Sequence, residues 1–138
     1  MALLPPGVHE HFPDDRDQLT PLFRQYLEIK DAHPEALLFY RLGDFYEMFG
    51  PDAVRASGIL GLTLTARAAC KDYKVAMCGV PHHSSARYIR QLVRSGEVIA
   101  VCEQTEDPSE AKGLVERGVT RVITARGCLL YTSDAADE

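Results

Sequence analysis

The sequence predicts an α/β fold, a single domain in which a mixed β-sheet is flanked by α-helices. Short apolar runs typical of buried strands alternate along the chain with segments whose apolar residues recur at helical spacing. Proline, glycine and serine stand at the junctions between these segments, where helices and strands begin and end. The length of 138 residues is enough for one hydrophobic core and too short for two.

A first helix is predicted directly after an amino-terminal leader. Residues 1–19 are rich in Pro, Asp and His and show no apolar periodicity, so we expect them to form a flexible leader. Thr20 and Pro21 are typical of the N-cap and the first position of a helix. Apolar residues at helical spacing then continue to about Ala32, and Pro34 ends the helix.

Residues 37–49, with the sequence LLFYRLGDFYEMF, carry the densest chemical signal of the chain. A buried strand is predicted over Leu37–Leu42, because apolar and aromatic residues lead there to the turn-forming pair Gly-Asp. Two interpretations stay open for the aromatic residues after this turn. Phe45 and Phe49 are four apart and would share one face of a helix, which favours core packing. A strand that stops at the turn can instead hold Phe45 at an edge of the domain, where a partner can reach its ring.

The rest of the chain continues the alternation of helices and strands, which supports the α/β prediction. In chain order the predicted elements are a helix from Pro51 to about residue 59, a strand over residues 62–66, a polar loop with three cations over residues 67–74, a strand over residues 75–80, a helix that Ser84 or Ser85 caps and Ser95 with Gly96 ends, and strands over residues 98–102 and 119–124.

The charge of the chain limits the kinds of function that it can serve. The formal net charge is −5, which argues against a freestanding nucleic-acid binder, because such proteins neutralise phosphates with cations. Residues 20–127 carry 14 Lys and Arg against 13 Asp and Glu, so the acidic excess lies at the two ends. A domain this close to neutral can read nucleic acid only where another part of a protein holds it.

Neither the apolar runs nor the cysteines indicate a membrane protein or a zinc site. No apolar run approaches the roughly 20 residues that span a bilayer, and the first residues do not form a secretory signal, so we expect a cytoplasmic protein. The four cysteines, Cys70, Cys78, Cys102 and Cys128, lack the close pairs that zinc sites use. We expect reduced thiols that mostly pack in the core, with a polar segment around Cys70 that allows exposure of that thiol.

The segment GDFYEMF, with TPLFRQYLEIKDAHPEALLFYRL before it, resembles the amino-terminal mismatch-recognition domain of the MutS family of bacterial DNA mismatch-repair proteins. The resemblance continues through AVRAS, LGLTLTAR, MCGVPHHS, YIRQLVRSGEVIAVCEQ and KGLVERGVTRVIT, and it covers residues 20–124. After Thr124 it stops, and we expect residues 128–138 to be a non-native or disordered tail. The family's Phe-Xaa-Glu motif falls on Phe45 and Glu47.

The resemblance implies a role for each residue of this motif. Phe45 would be an aromatic wedge, a ring inserted at a mispaired base through the minor groove, and Glu47 would form a hydrogen bond with the displaced base. Tyr46 points away from both by strand alternation, so packing inside the domain is expected for it. Met48 would flank the wedge at the DNA. For the phosphates, the expected partners are the three cations Arg67, Lys71 and Lys74.

The resemblance also implies partners for the chain. The expected ligand is double-stranded DNA with mismatches or small loops, and the full-length family protein would add a MutS homodimer and MutL. Family members are ATPases that use ATP and Mg, but this chain carries no G-x-x-x-x-G-K-[ST] motif. We therefore expect a reader module rather than an enzyme, with no cofactor of its own.

Two other classes of function remain open from the residues. A metal-dependent hydrolase would gather Asp44, Glu47, Asp52, His82 and His83, although their spacing gives no facing pair of carboxylates and no recognised ligand set. A domain with this fold could also serve only for contacts with a partner protein, without any role in reading DNA.

Overall fold

A computed structural model of the chain describes residues 4–130, and its strands form one mixed sheet with helices on both faces. The predicted α/β class is confirmed. The strands are β1 (Val8–His9), β2 (Leu37–Leu42), β3 (Phe45–Phe49), β4 (Thr65–Cys70), β5 (Tyr73–Pro81), β6 (Ile99–Gln104), β7 (Arg117–Thr124) and β8 (Gly127–Leu130). The helices are α1 (Pro21–Ala32), α2 (Pro51–Leu60) and α3 (Ser85–Arg94), and short 3-10 turns lie at Arg16–Gln18, His82–Ser84 and Pro108–Glu110.

The order of the strands places the β2–β3 hairpin in the middle of the sheet. The hydrogen-bonded order is β1-β5-β3-β2-β6-β7-β8, and β4 also pairs with β5. Strand β2 is parallel to β6 and β1 is parallel to β5, whereas the other neighbours in the described sheet are antiparallel. Strand β3 therefore has a partner on each side, which holds the backbone of residues 45–49 firmly.

Side-chain alternation along the central strands builds a hydrophobic core on each face of the sheet. Helices α2 and α3 cover one face, where Phe39 and Met48 are fully buried. Helix α1 covers the other face, where Tyr40 and Phe49 are fully buried. Because neighbouring residues of a strand point to opposite faces, β2 and β3 contribute side chains to both cores.

Helix α1 begins and ends where the sequence predicts. Thr20 Oγ1 accepts a hydrogen bond from the backbone N–H of Phe23 at 3.4 Å, and Pro21 occupies the first helical position. The helix ends at Ala32, with His33 as its C-cap. The N-cap and the proline therefore specify this end of the helix as the sequence indicates.

A buried ion pair joins α1 to α2 and to β2. Lys30 Nζ lies 3.1 Å from the Asp52 carboxylate, which also accepts a hydrogen bond from the backbone N–H of Leu38 at 3.0 Å. Asp52 is only 8% exposed. Burial raises the pKa of Asp52, while the charge of Lys30 and the bond from Leu38 lower it. This carboxylate is therefore a structural group that connects three elements.

The polar segment over residues 67–74 is a β-hairpin and not the predicted loop. Strand β4 starts at Thr65, later than the strand predicted over residues 62–66, and pairs with β5 across a turn at Lys71 and Asp72. Asp72 has a positive φ of 58°, a conformation that Asp adopts more readily than most residues. A strand that is largely exposed needs few apolar side chains, so the apolar pattern did not reveal β4.

The segment before residue 20, expected to be a flexible leader, packs on the domain over its described part. Val8 and His9 pair with β5, and the His9 ring stacks on Tyr73 with ring centroids 4.0 Å apart. The Phe12 ring packs against Phe23 of α1 at 5.4 Å. The sequence shows no sign of this because two residues of strand pairing, made through the backbone, leave no periodic pattern.

The carboxyl-terminal boundary also differs from the expected one. Residues 127–130 form β8, which pairs with β7, although residues from 128 onwards were expected to be a tail. All four residues of β8 are exposed, so this strand is held by backbone pairing with β7 and not by burial of its side chains. Residues 131–138, the rest of that expected tail, lie outside the described residues.

None of the helices within residues 4–130 is long and apolar enough to cross a membrane. All four cysteines are free, with Cys78 and Cys102 buried, Cys70 half-buried and Cys128 exposed. Burial raises the pKa of Cys78 and of Cys102 to about 12. Both thiols are therefore protonated near neutral pH and pack as small apolar groups.

Candidate nucleic-acid interface

The β2–β3 hairpin presents an aromatic ring at the end of the sheet. Gly43 and Asp44 form its two-residue turn, and Gly43 takes a positive φ of 61°, as the first position of a type II′ turn requires. Phe45 follows as the first residue of β3 and pairs with Leu42. Its side chain is 43% exposed, whereas Phe49 at the other end of the strand is fully buried. The helical interpretation of this pair is therefore wrong, and only Phe49 is a core residue.

The alternation of β3 separates the residues of the motif onto two faces. Tyr46 is 3% exposed and packs in the core under α2 and α3, so its predicted internal position is confirmed. Met48 lies two residues further on the same face and is fully buried in the same core. The prediction that Met48 flanks a wedge at the DNA is corrected, because this side chain has no surface to offer.

Glu47 lies on the same face as Phe45 and its carboxylate rests against β5. Glu47 is paired with Gly79, and a Cβ built on Gly79 would lie 2.7 Å from the carboxyl carbon of Glu47. Among residues 4–130 the Glu47 carboxylate has no hydrogen-bond or salt-bridge partner. Burial raises the pKa of Glu47, and the positive charge of Arg67 lowers it. The carboxylate is thus half-buried, poorly solvated and free to accept or donate a hydrogen bond to a ligand.

A methyl group at Gly79 tests how this carboxylate is placed. We expect Gly79→Ala to push the Glu47 carboxylate into solvent, because the new Cβ would occupy its position and would also lie 3.0 Å from the backbone oxygen of Tyr46. Since burial is what raises the pKa of Glu47, the variant should bring that pKa back towards its ordinary value. An NMR titration of the Glu47 side chain measures this change. A pKa that stays raised in the variant would show that Gly79 does not determine the position of the carboxylate.

Strand register places one of the predicted cations on the face of Phe45 and Glu47. Arg67 pairs with Val75, which belongs to the core under α1, and Arg67 is exposed on that face. Lys74 is the neighbour of Val75 on β5 and points to the opposite face. Lys71 lies in the turn of the β4–β5 hairpin. All three cations are exposed, but only Arg67 shares a face with the motif.

The distances along β5 separate these cations from the aromatic ring. Phe45 is paired with Pro81 at one end of β5, and Arg67 is paired with Val75, six residues away. At about 3.3 Å per residue this is roughly 20 Å along the strand, before the reach of the arginine side chain is counted. The Arg67 side chain reaches back over part of this distance, since its charge lowers the pKa of Glu47, which lies two residues from Phe45 on β3.

The candidate residues of a metal-dependent hydrolase do not form a site. Within the described part of the chain, no group of three or more His, Cys, Asp and Glu side chains is placed to hold a metal ion. Asp52 is engaged by Lys30, and His82 faces the backbone oxygen of Asp44. The geometry therefore gives the hydrolase no support.

Comparison with known proteins assigns the fold to a family. The family model for MutS domain I matches residues 20–132. The chain belongs to the MutS domain I family. This match continues past Thr124, where the resemblance read from the sequence ended, and includes the described strand β8.

Three relatives of this MutS domain I chain share the name DNA mismatch repair protein MutS. The DNA mismatch repair protein MutS of Myxococcus xanthus (strain DK1622) is 60% identical over 106 residues, which is 77% of this chain and 12% of the relative. The protein of the same name from Syntrophobacter fumaroxidans is 56% identical over 108 residues, 78% of this chain and 12% of the relative. A third, from Thermodesulfovibrio yellowstonii, is 53% identical over 109 residues, 79% of this chain and 13% of the relative. The MutS domain I chain thus spans about an eighth of the length of these relatives.

Sequence reasoning missed several residues that shape the surface around Phe45. Thr65 and Met77 lie on the face of Glu47 between it and Arg67, and Gly79 gives the carboxylate its place. A glycine inside an otherwise apolar strand often marks the close approach of another group, so Gly79 could have been recognised. Thr65 and Met77 could not, because their placement depends on the register of β4 against β5.

Proposed function

We propose that this chain reads mismatched DNA as the recognition domain of a MutS mismatch-repair protein. The observation that carries the proposal is the exposed ring of Phe45, presented beside the unpartnered carboxylate of Glu47 at the end of a rigid sheet. The family match supports the assignment, and the relatives are named for mismatch repair. The domain itself carries out no reaction in this proposal.

The mechanism is a test of how easily the duplex deforms. The ring of Phe45 enters the minor groove and unstacks a base step, which costs a few kcal/mol in an intact duplex and less where pairing is already broken. Stacking of the ring on a base returns about 1 to 3 kcal/mol, and this gain is similar for matched and mismatched DNA. Discrimination therefore comes from the difference in the cost of deformation.

Glu47 contributes a hydrogen bond to the displaced base in this mechanism. Burial already raises the pKa of its carboxyl group in the free domain, and nearby DNA phosphates would raise it further by like-charge repulsion. A protonated carboxyl group donates a hydrogen bond to a purine nitrogen. Because the complex then holds a proton that the free protein releases, affinity for mismatched DNA should increase as the pH falls through the pKa of Glu47 in the complex.

Substitution of Glu47 by glutamine tests this role. We expect Glu47→Gln to keep mismatch binding, because the amide can still donate to the base, and to bind perfectly paired duplex about fivefold more tightly, since about 1 kcal/mol of like-charge repulsion disappears. The pH dependence of mismatch affinity should also be lost. The measurement is fluorescence anisotropy of G·T and perfectly paired duplexes, with residues 20–132 placed in the full-length Myxococcus xanthus relative. An unchanged affinity for perfect duplex would contradict the repulsion.

The rest of a full-length protein supplies what this domain lacks. Of the three cations predicted to meet phosphates, only Arg67 lies on the face of Phe45, and residues 20–127 carry nearly equal numbers of cations and carboxylates, so this domain alone offers little electrostatic attraction for a duplex. We therefore place the chain in a cytoplasmic MutS homodimer that holds double-stranded DNA with mismatches or small loops and contacts MutL. ATP and Mg would bind to other parts of that protein.

A further inference from the structure

In the turn before Phe45, the backbone oxygens of both Gly43 and Asp44 accept hydrogen bonds from other parts of the domain. The Gly43 oxygen accepts a hydrogen bond from Arg41 Nε at 2.6 Å. The Asp44 oxygen accepts one from the backbone N–H of His82 at 2.8 Å. His82 Nδ1 lies 3.0 Å from the same oxygen, where its N–H donates a second bond when that nitrogen carries the proton. Both carbonyls of a two-residue turn, which are usually left to solvent, are thus bound by side chains or backbone of this protein.

Glu103 at the end of β6 fixes the donor of the first carbonyl. One of its carboxylate oxygens lies 3.0 Å from Arg41 Nη1, and the other accepts a hydrogen bond from the Tyr46 hydroxyl. Arg41 and Tyr46 face each other across the β2–β3 hairpin, one residue outside Leu42 and Phe45. The carboxylate therefore ties together both strands of the hairpin immediately beside the turn.

His82 fixes the second carbonyl from the other side. It follows Pro81, the residue of β5 that is paired with Phe45, and begins the 3-10 turn that leads into α3. The His82 side chain is half-buried, and its ring lies against the hairpin turn. The two anchors, Glu103 and His82, are 21 residues apart in the chain. Glu103 ends β6, the neighbour of β2, and His82 follows β5, the neighbour of β3, so they reach the turn from the two sides of the hairpin.

The geometry points to a turn clamp, formed by Arg41, Glu103 and His82, that holds the Phe45 ring in its DNA-reading position before any DNA is bound. This inference rests on the proposed function, and it assigns positioning roles to residues that do not themselves touch the base. A ring on a free two-residue turn would lose conformational freedom on insertion, and that loss would weaken binding. Fixing the turn in advance removes most of this loss. The clamp thus acts on discrimination only through Phe45.

A double-mutant cycle separates positioning from general stability. We expect His82→Ala, and independently Glu103→Gln, to reduce the preference for a G·T duplex over perfect duplex by about threefold to tenfold, the change that loss of one hydrogen bond produces. In a Phe45→Ala background the same substitutions should have no effect on preference, since no ring remains to be positioned. The assay is again fluorescence anisotropy, with residues 20–132 placed in the full-length Myxococcus xanthus relative. Unfolding curves show that each variant is folded.

The adjacent histidine provides a matched control. His83 is exposed and contacts the His82 ring but makes no hydrogen bond to the turn among the described residues, so His83→Ala should leave mismatch preference unchanged. The clamp is overturned if His82→Ala and Glu103→Gln leave the preference intact, or if they reduce it equally with and without Phe45. If Phe45→Ala itself leaves the preference intact, the proposed function fails as well. The first two results do not affect the wedge, so the two failures are distinguishable.

Discussion

Replacement of Phe45 by alanine should weaken binding to a G·T mismatch by roughly 5- to 150-fold, because the roughly 1 to 3 kcal/mol from stacking on a base is lost. Binding to perfectly paired duplex should change much less, since the ring is not inserted there. The fold should be unaffected, because the side chain is 43% exposed and the substitution of such a residue typically changes the free energy of unfolding by less than about 0.5 kcal/mol. Competition binding with both duplexes and a denaturant unfolding curve measure the two effects.

Leu129 gives a control with an exposed apolar side chain. It is 59% exposed and lies in β8, which strands β2, β6 and β7 separate from β3, so Leu129→Ala removes apolar surface away from the hairpin. We expect it to leave both affinities unchanged. If Phe45→Ala behaves in the same way, the wedge is rejected and a domain that serves only for protein contacts becomes the better explanation.

Replacement of Asp52 by alanine should lower the free energy of unfolding by about 3 kcal/mol. The substitution leaves the ammonium of Lys30 without its buried partner and removes the acceptor of the Leu38 N–H, and breaking a buried pair in this way is far more costly than breaking an exposed one. Urea unfolding monitored by circular dichroism measures the change. A loss below about 1 kcal/mol would show that solvent enters this site and replaces the carboxylate.

The exposed ion pair between Arg16 and Asp31 is the matched comparison. Its charged atoms lie 2.6 Å apart, closer than in the buried pair, yet about half of each side chain is exposed. Because solvent screens such pairs, Asp31→Ala should have an effect below about 1 kcal/mol. The contrast would show that burial, and not the separation of the charges, decides the contribution of an ion pair here.

The pKa of Asp52 adds a pH dependence to this prediction. Burial raises that pKa in the folded protein above its value in the unfolded chain, so the folded state holds the proton to higher pH. The part of the stability that comes from this extra proton is therefore fully present below the unfolded pKa and is lost as the pH rises through the folded pKa, above which the charged carboxylate still pairs with Lys30. Asp52→Asn, which keeps an acceptor for Leu38 but cannot titrate, should lose this part of the pH dependence.

Local signals in the chain were sufficient for the helices and for the central strands. Thr20 with Pro21 specified the start of α1, and the apolar run before Gly43 specified β2, because capping and burial leave their marks within a few residues. Elements at the margins were missed. Strand β4 is exposed on much of its surface, and strand β1 consists of two residues, so neither contains the periodic pattern from which strands are predicted.

The candidate site was predictable in its chemistry and only partly in its geometry. The resemblance to MutS placed the motif on Phe45 and Glu47, and strand alternation correctly buried Tyr46. The same alternation places Met48, two residues further on, in the core beside Tyr46, so the expected contact of Met48 with DNA is wrong. Of the three cations predicted to meet phosphates, only Arg67 lies on the face of the motif, since register and not composition decides which face an exposed side chain takes.

By itself, the sequence determined the α/β class through local patterns, and its resemblance over residues 20–124 determined the family and the place of the Phe-Xaa-Glu motif on Phe45 and Glu47. The tertiary structure alone decided that the Phe45 ring is exposed, that the Glu47 carboxylate rests on Gly79, and that Glu103 and His82 meet at the turn. These are contacts between strands that are distant in sequence. They are fixed only when the register of the sheet sets which residues stand side by side, and no local pattern encodes that register.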